Sequence, residues 1–247
     1  MKLDSQTIQY LKGKKFSNSY TVPYPYKESI PNRVEFLCDL TKGKTVLHLG
    51  CLDHLPLIDD KVNRGQWLHK ELTRVASHCL GIDIDTEALE YVQSKYKVNN
   101  ILLGDFTQQK LEAVSSKKWD YAVLGELLEH IDNPVAYLQS IATLYSGCID
   151  RIVITVPNAW TQTTMSKAMQ SSEIINTDHR YWFTPYTLAK VMTRANLEVE
   201  EIYFANRVPL NYTQLIQKKL LTLIGSRPTY NFTFASSIVA VGKIKIQ

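Results

Sequence analysis

No run of about 18 apolar residues occurs anywhere in the 247-residue chain, so no membrane-spanning helix is expected. The amino-terminal stretch MKLDSQTIQYLKGKKF lacks the apolar segment of a secretory signal, and the expectation is a cytoplasmic protein. Cysteine is scarce. Cys38, Cys51, Cys79 and Cys148 show no CxxC spacing and sit among apolar residues, which argues against a disulfide framework and for reduced, buried thiols. An excess of one charge is missing too: 28 Lys and Arg against 24 Asp and Glu leave +4, with the lysines spread along the chain, so charge alone points to no nucleic-acid partner. Glycine is sparse where a nucleotide loop would need it, because VLHLGCLDH (46–54) holds Gly50 alone and no GxGxxG. What remains, 45% apolar and 21% charged residues, is the composition of a globular chain with one large domain.

Strand and helix patterns alternate through that domain. Residues 1–32 carry a short helix and then SYTVPYPYKESIPN, whose prolines and tyrosines suit an extended lid or wrap over the core. RVEFLCDL has helical spacing and stops near Gly43. Strands are expected at 45–50, 78–85, 100–106, 119–126, 151–158, 197–205 and 236–244, and helices at 65–76, 86–96, 133–145 and 184–196. LPLIDDKVNR reads as a loop inserted before the 65–76 helix. The alternation predicts a single α/β domain with a mostly parallel sheet: a core over 33–205, an insertion over 206–235 covering the site together with residues 1–32, and a last strand in 236–247. Because no standard crossover helix precedes that strand, it is expected to run antiparallel.

Strand ends carry the chemistry. Gly50 follows a buried strand, where it allows a tight turn and close approach of a ligand. GIDID puts Asp83 at the end of the second strand, suited to accept from ribose hydroxyls, with Asp85 better suited to a helix N-terminus. LLGDF offers Asp105 for an adenine amino group and Phe106 for the base.

VLHLGC, GIDID, LLGDF and WDYAVLGELLEHIDNP, in that order and spacing over roughly residues 35–205, resemble the class I S-adenosylmethionine-dependent methyltransferases. The resemblance implies a Rossmann-like seven-stranded sheet with helices on both faces and an antiparallel last strand. It also implies S-adenosylmethionine held by Gly50, Cys51, Asp83, Ile84, Asp105, Phe106, Gly125 and Glu126. His48 stands where the family commonly has an acid, and Leu52 and His54 replace glycines of the family's loop.

GELLEHIDNP and DHRYWFTP add Glu126, Glu129, His130 and His179. If the first segment coils helically, Glu126, Glu129 and His130 share one face. This ExxEH pattern with the later His also resembles the small-RNA terminal 2′-O-methyltransferases, in which matching residues bind a divalent cation, and it is similar to bacterial methyltransferases acting on sugars and small molecules. The expectation is O-methylation of a small-molecule or sugar-containing acceptor. His130 or His179 would be the base, Glu129 and Glu126 orienters, and all four a possible ligand set for a divalent metal. Two rivals remain: an RNA 3′-terminal 2′-O-methyltransferase stacking on Tyr181 and Trp182 beside Arg180, and a non-catalytic binding module. NYTQLIQKKLLTLIGSRP (211–228) reads as a basic amphipathic helix, packed on the core or lying on a membrane surface. His69 and His78 are expected to be structural.

Overall fold

A computed structural model describes residues 1–24, 29–207 and 235–245, with Ile216, Lys219 and Leu223 as isolated positions between the last two segments. The helix expected at 211–228, and most of the expected insertion at 206–235, lie outside the described residues. The elements are α1 (Ser5–Leu11), α2 (Arg33–Thr41), β1 (Thr45–Leu49), α3 (Leu55–Asn63), α4 (Leu68–Val75), β2 (His78–Asp83), α5 (Thr86–Tyr96) and β3 (Ile101–Leu103). There follow α6 (Glu112–Ser115), β4 (Trp119–Gly125), a 3-10 turn (Leu128–His130), α7 (Pro134–Leu144), β5 (Ile149–Pro157), α8 (Gln162–Met169), α9 (Pro185–Arg194), β6 (Leu197–Arg207) and β7 (Ala235–Ile244).

The strands form one seven-stranded sheet in the order β3-β2-β1-β4-β5-β7-β6. β7 pairs antiparallel with both β5 and β6, and the other neighbouring pairs are parallel. The Rossmann-like α/β reading with an antiparallel last strand therefore holds.

Side-chain alternation along each strand divides the core. Leu47 and Leu49, Ala122 and Leu124, and Ile152, Ile154 and Val156 face α7 and α9 with Leu138, Ile141, Leu188 and Met192. Val46, Val123 and Val153 face the opposite side, against Leu37 of α2 and Leu68 and Leu72 of α4. Being buried on both faces is what gives these strands their continuous apolar runs. A third cluster seals α3 and α5 with Ile58, Trp67, Leu89 and Val92. The strand order reverses between β1 and β4, which opens a crevice at their carboxyl ends.

Caps set several boundaries. Asn32 accepts from the amides of Val34 and Glu35, Asp85 from Ala88, and Asn133 from Ala136, each closing a helix start. Asp85 thus takes the capping role expected of it.

Three expectations are corrected. LPLIDDKVNR is not a loop: it forms α3, with Pro56 in the first turn and Ile58 fully buried. Leu55 and Val62 pack on the same cluster as Ile58, and Asp59 accepts from Tyr91, Tyr96 and Lys95 of α5, which fixes the helix to its neighbour. The helix expected at 65–76 begins only at Leu68, because Gly65 adopts φ +65° and Trp67 turns its indole into the core to donate to the Cys51 carbonyl. GELLEH does not coil as an α-helix either. Glu126 has φ +56°, and only a 3-10 turn over Leu128–His130 follows, so Glu126 does not share a helix face with Glu129 and His130.

Candidate functional site

β1 ends on Gly50, whose φ of +65° is left-handed and whose amide donates to the Ile82 carbonyl of β2 at 2.9 Å. A Cβ there would fall 2.7 Å from both Leu127 methyls, so Gly50 is required by conformation and by space. The chain then crosses β2. The Asp83 carboxylate accepts from the Leu52 amide at 2.8 Å on one oxygen, and from the amides of Ile84 (2.8 Å) and Asp85 (3.2 Å) on the other. These bonds tie the first two strand ends into one rim and leave one lone-pair site, on Oδ2, for a ligand. Burial raises the Asp83 pKa, against the lowering effect of the three amides.

A cleft of about 480 Å³ opens over this rim, within the size range of small-ligand sites. Gly50, Cys51, Asp83, Ile84, Asp105, Phe106, Gly125 and Glu126 all line it. Their contributions differ. Cys51 turns its sulfur away beneath Gly81 and is 2% exposed, leaving its backbone to the cleft. Ile84 stands 72% exposed at the edge, an apolar side chain available to a flat ring. Phe106 is buried and meets Tyr137 edge to face, so it supports the wall from the core. Asp105 holds its own turn by accepting from the Thr107 amide and hydroxyl. Gly125 gives room, since a Cβ would fall 2.5 Å from the Leu68 Cδ2.

Sequence reasoning passed over Arg33. From the first turn of α2 its Nη1 donates to Thr155 Oγ1 at 2.8 Å, and its Nε lies 3.7 Å from Glu126 Oε1 without a hydrogen bond. His48, the departure in the first motif, is 2% exposed and faces His69 of α4 with 3.4 Å between the two Nδ1 atoms. Burial, then His69 and Arg33, hold its pKa well below the usual value, so it is neutral beside the arginine. His69 is buried, in keeping with a structural role, whereas His78 is exposed and stacks on Trp119.

On the other side of Gly50 lies the ionisable cluster. The ligand atoms of Glu129, His130 and His179 come within 4.8 Å of one another, so three of the four expected residues converge. Glu126 lies outside that group, beside Arg33, yet near enough to act electrostatically on Glu129 and His179. Glu129 is wholly buried and neither carboxylate oxygen has a hydrogen-bond partner; burial, then Glu126, pushes its pKa up to about 9, so it carries its proton near neutral pH. His179 has an unpartnered, buried Nδ1 and a pKa lowered by burial and then by His130. His130 reaches the cleft, and its Nδ1 lies 2.8 Å from Asp178 Oδ2.

Asp178 was also missed, although it directly precedes His179. His130 and His54 share its oxygen, at 2.8 and 3.9 Å, forming a second converging triad. Arg180 donates its amide to the Glu129 carbonyl and its guanidinium to Asp132, so the 178–182 loop is clamped on the 3-10 turn. Trp182 bonds Glu173 and meets the His179 ring edge-on.

The donor set suits a cation of intermediate softness. Two imidazoles and a carboxyl group that would give up its proton to bind match manganese, iron or zinc better than calcium.

A family model described as a methyltransferase domain matches residues 26–202. A ubiquinone biosynthesis O-methyltransferase from Paraburkholderia phytofirmans is 29% identical over 105 residues, 41% of this chain and 40% of the relative, so the match spans about two fifths of that protein's length. The enzyme of the same name from Aeromonas salmonicida is 23% identical over 198 residues, 76% of this chain and 78% of its own. Among solved structures, a SAM-dependent methyltransferase from Archaeoglobus fulgidus superimposes with a TM-score of 0.56 at 18% identity, over 85% of this chain and 91% of that one.

Proposed function

The chain belongs to the methyltransferase-domain family and has its class I, S-adenosylmethionine-dependent fold; from that premise we propose that it methylates a hydroxyl oxygen of a small-molecule acceptor. The observation that carries this reading is the pairing, across Gly50, of a ribose-type carboxylate at Asp83 with a carboxylate-oriented imidazole at His130.

When bound, S-adenosylmethionine supplies an electrophilic sulfonium methyl. The chain's own part is to hold, align and move one proton. Asp83 accepts from a ribose hydroxyl with the lone pair left on Oδ2, Ile84 covers the adenine, and Gly50 and Gly125 keep side chains out of the way. The Arg33 guanidinium is available to the carboxylate at the amino-acid end. With Asp178 accepting from Nδ1 of His130, the lone pair of Nε2 is left to take the proton of the acceptor's hydroxyl as the C–O bond forms, and the carboxylate stabilises the imidazolium. Alignment supplies most of the rate, and the base contributes about 10²- to 10⁴-fold.

Glu129, His130 and His179 would hold a divalent cation, which would lower a hydroxyl's pKa there. A ring-stacking RNA terminus is a less favoured reading, because the Tyr181 hydroxyl is tied to the Asp132 carbonyl beside the 3-10 turn and the Trp182 indole to Glu173.

Calorimetry with S-adenosylhomocysteine on the wild type and on Asp83→Ala tests the cofactor site. Binding by the wild type, weakened tenfold or more in the variant, is the expected result; no binding by the wild type would remove the enzyme reading. Labelled-methyl transfer to a panel of hydroxylated acceptors, lost in His130→Ala with cofactor affinity retained, tests the base. Treatment with a chelator separates the metal from the metal-free route, since indifference to it leaves His130 and Asp178 as sufficient.

A further inference from the structure

A second cleft, larger than the first at about 900 Å³, shares no lining residue with it. One wall comes from residues 10–24 and the other from Trp160, α8 and α9. Its surface is mainly aromatic. Tyr10 and Tyr20 pack with ring centroids 4.4 Å apart, Tyr24 meets Trp160 edge-on at 6.0 Å, and Tyr186 joins them. Phe16 and Met165 also line it, 85% and 49% exposed, so apolar side chains face water there with no packing of their own.

The polar features are few and of one kind. The lining holds Lys15 and Lys190 and no carboxylate. The Lys190 ammonium is fixed in the wall by donating to the carbonyls of Tyr10 and Leu11 at 2.6 and 2.8 Å. The Tyr24 hydroxyl is buried with no acceptor for its proton, and burial, against the nearby Tyr186 amide, pushes its pKa up to about 12, so it stays a neutral donor. An unmet donor and two cations among aromatic rings favour an anion over a sugar, whose hydroxyls need acceptors as well as donors.

Position links the cleft to the methyl-transfer site. Trp160 comes three residues after Pro157 at the carboxyl end of β5, and its amide donates to Asn158 Oδ1. Asn158 bridges Phe183 in the loop that carries Asp178 and His179. Thr155, five residues before Trp160, accepts at its Oγ1 from the Arg33 guanidinium and the Glu126 amide. Five residues of chain span at most about 17 Å, so Trp160 lies no farther than that from the Thr155 contact with Arg33 and Glu126.

Resting on the methyl-transfer reading, we propose that this cleft binds the body of the acceptor, and that the acceptor is a planar aromatic molecule carrying an anionic group. Its rings stack among Tyr20, Tyr24, Trp160 and Tyr186, its anion meets Lys15 and Lys190, and its hydroxyl extends toward His130.

The probe is 1-anilinonaphthalene-8-sulfonate, an aromatic anion, titrated by fluorescence into the full-length chain, with S-adenosylhomocysteine affinity measured in parallel by calorimetry. Expected are saturable one-to-one binding, at least tenfold weaker binding in Trp160→Ala, recovery in Trp160→Phe, and a several-fold loss in Lys15→Gln. All three variants should keep the wild-type affinity for S-adenosylhomocysteine, which shows that they are folded. The uncharged N-phenyl-1-naphthylamine binding as tightly would overturn the anion. Displacement of the probe by dodecanoate or uridine 5′-monophosphate, but not by 1-hydroxy-2-naphthoate, would overturn the aromatic class in favour of a lipid chain or a nucleotide. Unchanged probe affinity in Trp160→Ala would overturn the cleft. Probe binding that behaves as expected in a chain that does not bind S-adenosylhomocysteine would instead overturn the methyl-transfer premise.

Discussion

Gly50 concentrates two constraints in one residue. An alanine there would hold a left-handed φ of +65°, costing roughly 1–2 kcal/mol. Its Cβ would also meet the methyls of Leu127, a residue that itself lines the cofactor cleft. Gly50→Ala should therefore lower the melting temperature by a few degrees and weaken S-adenosylhomocysteine tenfold or more, because relief of the clash pushes Leu127 toward the ligand. Adding Leu127→Ala removes the collision but not the backbone cost, so the double variant should regain part of the affinity. An unchanged affinity in the single variant would mean that the ligand does not pass close to this turn. Gly50 and Asp83 were legible in the sequence because each sits where an apolar run stops. Arg33 was not: it lies 17 residues before Gly50 on a helix of its own, and only tertiary packing brings it to Thr155 and Glu126. Asp178 carried a usable signal, an acid directly beside His179, but its partner is His130, 48 residues earlier.

Among the elements, α9 has the most to hold. It starts with Thr184 as N-cap and Pro185 in the first turn, and Thr184 and Thr187 bond reciprocally in a capping box. It buries Leu188, Ala189 and Met192 against the sheet while presenting Tyr186 and Lys190 to the aromatic cleft. Thr184→Ala should cost about 1 kcal/mol, seen as a lower urea midpoint with an unchanged slope. The loss should leave cofactor affinity intact, because α9 does not line that cleft. A change in affinity would instead mean that the loop before α9, which carries Asp178, moves with its cap. This helix was visible in the sequence through its period and its proline. α8 was not, for a physical reason: none of its residues is buried against the core, and its apolar spacing is confined to Met165, Ala168 and Met169, too short a run to announce a helix. α3 was hidden differently. Leu55, Ile58 and Val62 have helical spacing, but the intervening polar run DDK resembled a loop, and Asp59 is committed to α5 through contacts that sequence does not display.

At the scale of the molecule, the sheet's two-sided burial explains both what was legible and one consequence for acid stability. The alternation of strands with amphipathic helices announced a mostly parallel sheet, and the missing crossover helix announced the antiparallel β7; the order β3-β2-β1-β4-β5-β7-β6 is set by packing between distant segments. That same burial encloses two histidines. His48 on β1 and His69 on α4 are 2% and 0% exposed, and their Nε2 atoms have no hydrogen-bond partner. Burial holds the His69 pKa down to about 4 and that of His48 well below 6.5, so both are neutral in the folded chain. In the unfolded chain each titrates near 6.5. The folded state therefore binds fewer protons across this window. The contribution of the pair to stability is fully present above about pH 6.5, and it is lost as pH falls through the depressed folded-state values, about 4 for His69. Urea unfolding at a series of pH values should show stability dropping from pH 6.5 downward, by up to about 1.4 kcal/mol per pH unit for each histidine. In His48→Asn/His69→Gln the starting stability should be lower, because the buried contacts are poorer, but the slope between pH 6.5 and 4 should be distinctly flatter. The slope is the diagnostic quantity, since a packing defect shifts the whole curve without changing its dependence on protons. An identical slope in the variant would remove the two histidines as its source; Asp59, whose bonds to Lys95, Tyr96 and Tyr91 hold its pKa down to about 2, loses its contribution only below about pH 4 and cannot produce a slope in that window.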